Sequence, residues 1–549
     1  MEALKVVMIR SRAWFRAHPD LAAGLVIALA FLARVKAASG TFLNPDEALH
    51  FSVANQLSLS DAYRASLTIS HPPLLILVLY FWRNLGTSEL VLRLPSVLLG
   101  TAFCWVFFRW LKDLFGRTVG WIGLIFAAFL PPMIALSAEI RQYALLLFCA
   151  ACAAYFLERS LAKNSARAML ISVLFLNLAL LTHYSALLFA ATLGIYFLVR
   201  LATKQVPREV VGIWAAGQAV GIGLCVFLYL TSVKTLARFF GAQPLRAWMG
   251  ESYLNNSYFD PARHHVLVFL VSRTGSVFQY LFGQSIVGDA AFLIFLGGIV
   301  LLLRNTRYAE NLKVPPRVLA SLLLVSFGLN FAVALAGVYP YGGTRHCVFL
   351  APFAFAGVGF LLAKLTRWRL GIAVPLAIAV VAACHGFQSR RLPYMARSDQ
   401  GTALMEQATT FVRQQVPPSD LVFVDNQTSI LLGHYLCQQR PAPLQPSALT
   451  INTLDCGGHR ILATNGETFV FTAKSFFPTW DEMRRTYHLQ PGQHVWVLQE
   501  GWVWGDSLAQ ELKQKWPAFR GLQARTFGHN ITVFELTVGT DDAPTVNGT

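Results

Sequence analysis

Apolar residues run from Leu21 to Ser39 almost unbroken, and runs of similar length recur along the first two thirds of the chain. An α-helix needs about 20 such residues to cross about 30 Å of hydrocarbon. Spans are predicted near 21–39, 91–110, 118–138, 141–159, 167–182, 184–201, 209–231, 288–304, 317–338, 347–365 and 369–388, about eleven in all. Short basic segments separate them: Lys5/Arg10/Arg12/Arg16, Arg109/Lys112/Arg117, Arg159/Lys163/Arg167, Arg200/Lys204/Arg208, Arg304/Arg307/Lys313/Arg317 and Lys364/Arg367/Arg369. Short loops rich in Lys and Arg stay on the cytoplasmic side. The N-terminus is therefore expected inside, and everything after Arg390 outside.

One apolar run, Pro72-Pro73-Leu74 to Leu85, breaks this alternation. Counted as a span it would move every later basic loop outside, and it is short and opens on two prolines. It is expected to be an interfacial or re-entrant helix within a first outer loop, Gly40–Leu90. A second long outer segment, Ser232–Val287, holds another apolar stretch, Val266–Phe282, expected to lie along the interface. Leu21–Ser39 exceeds a signal-peptide core and more spans follow it, so it is read as a retained span.

After Arg390 the period changes. LVFVD (Leu421–Asp425), TFVFT (Thr468–Thr472), HVWVL (His494–Leu498) and ITVFELT (Ile531–Thr537) read as short strands with helix-like segments between them. The expected organisation is a transmembrane domain, 1–389, followed by an extracytoplasmic α/β domain, 390–549, of about 150 residues.

Composition strengthens the membrane reading. Of 549 residues, 55% are hydrophobic and 13% charged, against about 25% charged in soluble domains; the mean hydropathy is +0.50. The formal charge of +17 sits in the loops between spans, so it marks topology and anionic-lipid contact rather than nucleic acid. Six of the eight cysteines lie in or beside apolar runs; Cys437 and Cys456 lie in the polar C-terminal part and could pair if that part is outside.

With this topology, the polar residues that carry chemistry gather at the outer ends of spans. They are Asp46-Glu47 in NPDEALH, His71, Glu139/Arg141/Tyr143 in SAEIRQY, His183-Tyr184, and Tyr339–His346 in YPYGGTRH, with Tyr341, Arg345 and His346. Each has a plain structural reading. Asn-Pro-Asp-Glu is a good helix start; Glu139 and Arg141 could be an ion pair; His183-Tyr184 suits an interfacial belt; Arg345 could bind lipid headgroups. Their co-location on one side points instead to a site, because ionisable groups at membrane depth are costly. A carboxylate can act as general base on a hydroxyl, guanidinium groups suit a phosphate leaving group, and Tyr and His can orient sugar hydroxyls. No P-loop, G-x-G-x-x-G or H-E-x-x-H occurs in a fitting context.

NPDEALH, ISHPPLLILVLYFWRNLGTSELVLRLPSVLLG (Ile69–Gly100), FGRTVGWIGLIFAAFLPPMIALSAEIRQYALLL (Phe115–Leu147) and LLTHYSALL (Leu180–Leu188) together resemble bacterial members of the dolichyl-phosphate-mannose protein mannosyltransferase superfamily. The nearest likeness is to its rhizobial lipopolysaccharide glycosyltransferase-like branch; the superfamily includes the enzyme that adds 4-amino-4-deoxy-arabinose to lipid A. The resemblance implies a C-type glycosyltransferase (GT-C) fold whose first outer loop holds the catalytic Asp. It places Asp46 as the base, Glu47 as its acidic partner, His71 in a loop-shaping HPP motif, and Glu139, Arg141 and Tyr143 in an E-x-R-x-Y motif. Arg345 falls where an arginine near the donor phosphate is expected, with His346 in place of the usual Tyr and Pro352 following. It further implies a polyprenyl-phosphate sugar donor, an acceptor that is a lipid, glycan or protein, and inversion at the anomeric carbon. No cofactor is expected. Some relatives bind a divalent cation through acidic outer-loop residues, here Asp46, Glu47 and Glu139, but those groups are expected to serve as base and hydrogen-bond partners.

The expected activity is transfer of a sugar from the lipid to an acceptor hydroxyl at the outer face of the cytoplasmic membrane. The rival is a transporter or lipid flippase using the same cluster as a gate. Transporters tend to place such groups near the midplane on broken helices in two related halves; here the groups lie at span ends and no half-repeat is visible.

Overall fold

The computed structural model describes residues 19–240, 254, 256–304, 312–386, 401–437, 451–465, 468–501, 506–528, 531–539 and 544–545. Contacts divide the chain into two compact units. One comprises Met1–Ala38, Leu67–Leu75 and Arg93–Met395; the other comprises Ser39–Ser66, Ile76–Leu92 and Ala396–Thr549. The sequence reading set the first outer loop with the spans. By contacts most of it groups with the C-terminal α/β fold.

The helices in chain order are α1 (Pro19–Ala38), α2 (Pro45–Ala54), α3 (Leu59–Ser66), α4 (Leu74–Trp82), α5 (Glu89–Phe115), α6 (Arg117–Phe129), α7 (Pro131–Ala135), α8 (Tyr143–Lys163), α9 (Ala166–Leu180), α10 (Ala186–Thr203), α11 (Arg208–Leu228), α12 (Lys234–Phe240), α13 (Val266–Phe282), α14 (Ser285–Leu303), α15 (Pro316–Leu335), α16 (Ala351–Leu365), α17 (Leu370–Gly386), α18 (Thr402–Gln415), α19 (Asn426–Tyr435), α20 (Ala473–Thr486) and α21 (Leu508–Lys515). Every expected span appears as an apolar helix. Among the described residues eight are long and apolar enough to cross a membrane. The spans expected at 118–138, 167–182 and 369–388 are the shorter helices α6, α9 and α17, and the two excluded runs are the short helices α4 and α13. The chain is a multi-pass membrane protein. A π-helical turn, Tyr229–Val233, carries α11 on into α12, so the second outer segment opens as helix rather than loop.

In the first unit α8 packs on α9, α9 on α11, α14 on α16, and α6 on α16 and α17. A Cβ on Gly298 of α14 would lie 2.6 Å from the Gly357 carbonyl oxygen of α16, so two backbones meet there where only glycine fits. The span expected at 118–138 breaks at Leu130-Pro131, because a proline within a helix removes an amide donor and clashes with the preceding turn. Arg34 of α1, fully buried, answers that break. Its guanidinium donates to the carbonyls of Ala127 at 2.7 Å and Ala128 at 2.9 Å, at the open C-terminal end of α6.

The second unit is built on a seven-stranded sheet. Its strands are β1 (Leu421–Val424), β2 (Ile451–Cys456), β3 (His459–Thr464), β4 (His494–Gln499), β5 (Ala524–Phe527), β6 (Ile531–Val538) and β7 (Pro544–Thr545). The order is β2-β3-β1-β4-β6-β5, with β7 on β6. β1 pairs in parallel with both β3 and β4, and the remaining pairs are antiparallel. Phe476, Trp480, Leu508 and Leu512 of α20 and α21 pack with Leu421, Phe423 and Val497. Met405, Ala408, Val412 and Leu432 of α18 and α19 pack with Val422, Val424 and Ile461, the alternate strand positions.

Of the expected strands, LVFVD, HVWVL and ITVFELT are β1, β4 and β6, whereas TFVFT is not a strand. Its backbone is engaged elsewhere: the Thr468 and Phe469 carbonyls accept the amides of Asn426 and Gln427, and the Phe471 amide donates to Asp425 at 2.9 Å. Thr472 then caps α20.

Cys437 and Cys456 form a disulfide across a separation of 19 residues. Replacing both with Ala should cost roughly 2–4 kcal/mol of this unit's stability, read from a lowered unfolding midpoint.

Two carboxyls are fully buried where β1 and β4 end. Asp425 caps α19 through the Thr428 amide at 2.9 Å. Among the described residues neither carboxyl oxygen of Glu500 has a hydrogen-bond partner. Burial pushes the Asp425 carboxyl up to about 6. Burial first, and the Asp425 charge second, lift Glu500 well above the usual carboxylate range. An acid with a raised folded-state pKa keeps a proton that the unfolded chain has released. Its stabilising effect is complete below the unfolded value, near 4, and is lost as pH rises through the folded value, by up to about 1.4 kcal/mol per pH unit per group. Glu500→Gln should therefore flatten the fall in unfolding temperature as pH rises above about 4 and leave the protein more stable than the parent at alkaline pH.

Candidate functional site

In the membrane unit the site is assembled from residues at the starts of helices. The chain leaves the Pro131 break, turns through Leu136–Gln142, and enters α8 with Tyr143 as its first residue. Arg141 precedes it, its amide donating to the Glu139 carbonyl at 2.8 Å. His183 lies in the turn before α10, and His71 lies just before α4, whose first amide donates to the Leu181 carbonyl at 3.0 Å. Arg345 and His346 open a 3₁₀ turn, Arg345–Leu350, that runs into α16. Helix starts carry partial positive charge and outward-pointing amides.

These residues meet. The His71 and His183 rings stack with centroids 5.5 Å apart. His183 lies 5.4 Å from Tyr143 and 6.0 Å from His346. The guanidinium carbons of Arg141 and Arg345 are 5.8 and 5.9 Å from the Tyr143 ring centre, and Arg141 Nη2 is 3.5 Å from His71 Nε2. Arg141 is 3% exposed and Arg345 4%. Two guanidinium groups are thus buried around one aromatic ring, where permanent positive charge is concentrated at low exposure.

His183 cannot add to that charge. Burial, then the charges of Arg141 and Arg345, push its imidazole down to about 3. Its Nδ1 accepts the Ser185 amide at 3.2 Å, so the neutral ring carries its proton on Nε2 and remains a donor. Among the described residues the Tyr143 hydroxyl, fully buried, has no hydrogen-bond partner.

The segment bearing Arg345 is fixed from α13 and from Ser257 before it. The Tyr341 hydroxyl is 2.6 Å from Thr274 Oγ1, the Tyr341 amide donates to the Ser257 carbonyl at 2.8 Å, and the Gly343 amide donates to Ser276 Oγ at 2.9 Å. A Cβ on Gly343 would stand 2.5 Å from the Ser276 carbonyl oxygen, so the approach requires glycine. Tyr341, expected to contact substrate, is wholly buried in this scaffold. Tyr184 lies half-buried beside Ser232, and Glu139 is half-buried in its turn.

Arg273 was not foreseen. It sits half-buried on α13, its Cδ 3.5 Å from where a Cβ on Gly342 would be. The only sequence signal is a cation in the middle of an apolar stretch.

Asp46 and Glu47 belong to the other unit. Asn44 caps α2 by accepting the Glu47 amide at 3.0 Å, and the Glu47 carboxylate accepts the Asn44 amide at 3.0 Å. This reciprocal box is the helix-start reading of NPDE. Glu47 is buried within it, whereas Asp46, one position earlier in the first turn, is half-exposed. The His50 ring also faces this turn, Nδ1 donating to the Asp46 carbonyl at 2.7 Å. Among the described residues no group of three or more His, Cys, Asp or Glu gathers as a metal-ligand set.

Residues 70–230 match the model of the family described as dolichyl-phosphate-mannose-protein mannosyltransferase. The structure of ArnT from Cupriavidus metallidurans in the apo state is similar at a TM-score of 0.50 and 13% identity, over 93% of this chain and 97% of that one. ArnT bound to undecaprenyl phosphate gives 0.51 and 14%, over 96% and 99%. The archaeal oligosaccharyltransferase AglB from Archaeoglobus fulgidus is similar at 0.47 and 12%, over 88% and 70%. A comparison with curated proteins finds no match. The fold is the expected GT-C fold, with a C-terminal sheet domain.

Proposed function

We propose that this chain is an integral-membrane glycosyltransferase that moves a sugar from a polyprenyl-phosphate donor to an acceptor hydroxyl. The observation that carries the reading is the pair of buried guanidinium groups, Arg141 and Arg345, around Tyr143 with a neutral His183 between them. That set suits a phosphate ester: permanent positive charge for the leaving group, and neutral donors for ligand oxygens. The family match over residues 70–230 and a similarly folded protein bound to undecaprenyl phosphate support the same donor class.

In the proposed reaction Asp46 takes the proton of the acceptor hydroxyl. The acceptor oxygen attacks the anomeric carbon from the face opposite the phosphate, and the bond from that carbon to the phosphate oxygen breaks. The polyprenyl phosphate leaves with both electrons of that bond, its charge met by Arg345 and Arg141. His71, Tyr143, His183 and His346 line this donor cluster, and Glu139 and Tyr184 stand at its margins. Glu47 fixes the first turn of α2, and Tyr341 holds the Arg345 segment. The reaction is placed at the outer face of the cytoplasmic membrane, a placement supported by the basic loops and the Cys437–Cys456 disulfide.

The test is to incubate purified protein in detergent or nanodiscs with a panel of polyprenyl-phosphate sugars and candidate acceptors, and to follow sugar and lipid phosphate by mass spectrometry. Release of polyprenyl phosphate with a glycosylated or hydrolysed product is the expected result. Movement of intact donor across vesicles with no bond broken, for every sugar tried, would replace this reading with transport.

A further inference from the structure

The parts of the first outer loop that belong to the second unit, within Ser39–Ser66 and Ile76–Leu92, are folded onto the C-terminal sheet domain at several separate points. Phe42 is buried in the same apolar cluster as Met405, Val412 and Val424. Thr41 bridges Gly401, and the Thr402 amide donates to the Gly40 carbonyl at 3.1 Å. The Leu43 amide donates to the Tyr435 hydroxyl at 2.7 Å, and that hydroxyl donates onward to Glu89 at 3.0 Å. At the far end of α2, the Phe51 ring meets His434 edge-on at 5.2 Å.

The remaining contact lies where the sheet changes direction. After β1 and α19 come the edge strand β2 and its antiparallel neighbour β3, which pairs with β1 on one side; from β3 the chain crosses through α20 to β4, which pairs with β1 on the other. In open α/β sheets the carboxyl ends of such a strand pair leave a crevice that commonly receives a ligand. Here the crevice receives the start of α2. Gly501, two residues after β4, has φ +102°, and a Cβ there would come within 3.0 Å of Pro45 Cγ and 2.9 Å of Gln427 Cδ. Beneath it, the Glu500 amide donates to Thr428 Oγ1 at 3.0 Å and the Thr428 hydroxyl donates to the Glu500 carbonyl at 3.2 Å, tying the end of β4 to the start of α19. Pro45 is the residue before Asp46.

We propose that the C-terminal domain is a positioning module for the acid-bearing helix, and that Tyr435 and Gly501 are positioning residues for the transfer reaction. The proposal rests on the reading of Asp46 as the acceptor's base. Tyr435 fixes the strand entering α2, and Gly501 sets how closely the first turn seats. Neither touches substrate; both act through the placement of Asp46. A carboxylate displaced by a fraction of an ångström loses its alignment with the acceptor hydroxyl. The donor cluster belongs to the other compact unit, so donor affinity should not follow.

The experiment uses the full-length protein in detergent, with Tyr435→Phe, Gly501→Ala and Asp46→Asn assayed beside the parent. Donor KM and kcat are normalised to folded protein, and the unfolding midpoint is measured in parallel. Tyr435→Phe removes one oxygen and keeps the ring packing. It is expected to lower kcat about threefold to tenfold. Gly501→Ala should lower kcat by about tenfold to a hundredfold. Both should leave donor KM within about twofold of the parent. A purely structural role would lower the midpoint and the folded yield without changing kcat per folded molecule. If Asp46→Asn is inactive while Tyr435→Phe turns over like the parent, the positioning role is wrong and the catalytic reading stands, whether or not Gly501→Ala folds. If Asp46→Asn remains active, the catalytic reading itself fails. A rise in donor KM without loss of kcat would also overturn the inference.

Discussion

Asp46→Asn should insert, fold and bind donor as the parent does, and should lose transfer by about two to four orders of magnitude. The substitution keeps the shape of a side chain in the first turn of α2. Asn44 and Glu47 hold that turn through their own reciprocal bonds, not through the Asp46 carboxylate. What the substitution removes is proton affinity. An amide cannot accept the acceptor's proton, so kcat should fall while donor KM stays put. Glu47→Gln offers the contrast: it weakens a cap, which typically costs about 1 kcal/mol of local stability, without removing the proposed base. The measurements are kcat and KM on the polyprenyl-phosphate donor identified by the panel, with midpoints recorded for both variants. Full activity in Asp46→Asn would remove the base assignment.

Arg345→Ala should act on the donor instead. A charge-assisted hydrogen bond is worth about 1.5–3 kcal/mol, which corresponds to a loss of donor affinity of roughly tenfold to 150-fold. Because phosphate charge grows as the glycosidic bond breaks, kcat should fall as well. Arg345→Lys should lie between, retaining the charge but losing the planar two-pronged geometry. Binding of a non-transferable polyprenyl phosphate, read by the shift it causes in the unfolding midpoint, separates the two effects. An unchanged donor KM and kcat in Arg345→Ala would contradict the phosphate role.

Much of the architecture was legible because hydrocarbon imposes one simple demand, a helix-length apolar run, and each expected span is an apolar helix. The run after Pro72-Pro73 is a short apolar helix, Leu74–Leu85. The break at Leu130 was less visible, since its remedy, Arg34, lies far away in sequence. In the sheet, LVFV and HVWV announced themselves by their buried runs. The edge hairpin β2–β3 did not: INTLDC is buried only at its two ends, with partly or fully exposed residues between, and half-polar strands resemble loops. TFVFT has a strand's composition, yet Asp425 and the start of α19 claim its backbone.

The site was legible to the extent that cations and imidazoles at helix starts stand out against apolar surroundings. His71, Arg141, Tyr143, His183, Arg345 and His346 do come together. Arg273 was missed because a single cation inside a helix carries no local motif. The engagement of Glu47 in the α2 cap was also hidden. Two adjacent acids look alike in a sequence, and only the bond from the Asn44 amide shows that one of them is committed to the backbone.

Arg34 sets an order of events during biogenesis. α1 enters the lipid carrying a guanidinium whose carbonyl partners, Ala127 and Ala128, emerge from the ribosome some 94 residues later. Until they arrive that charge has to be sheltered by water, headgroups or the insertion machinery. α1 is thus synthesised well before the partners that its buried cation needs.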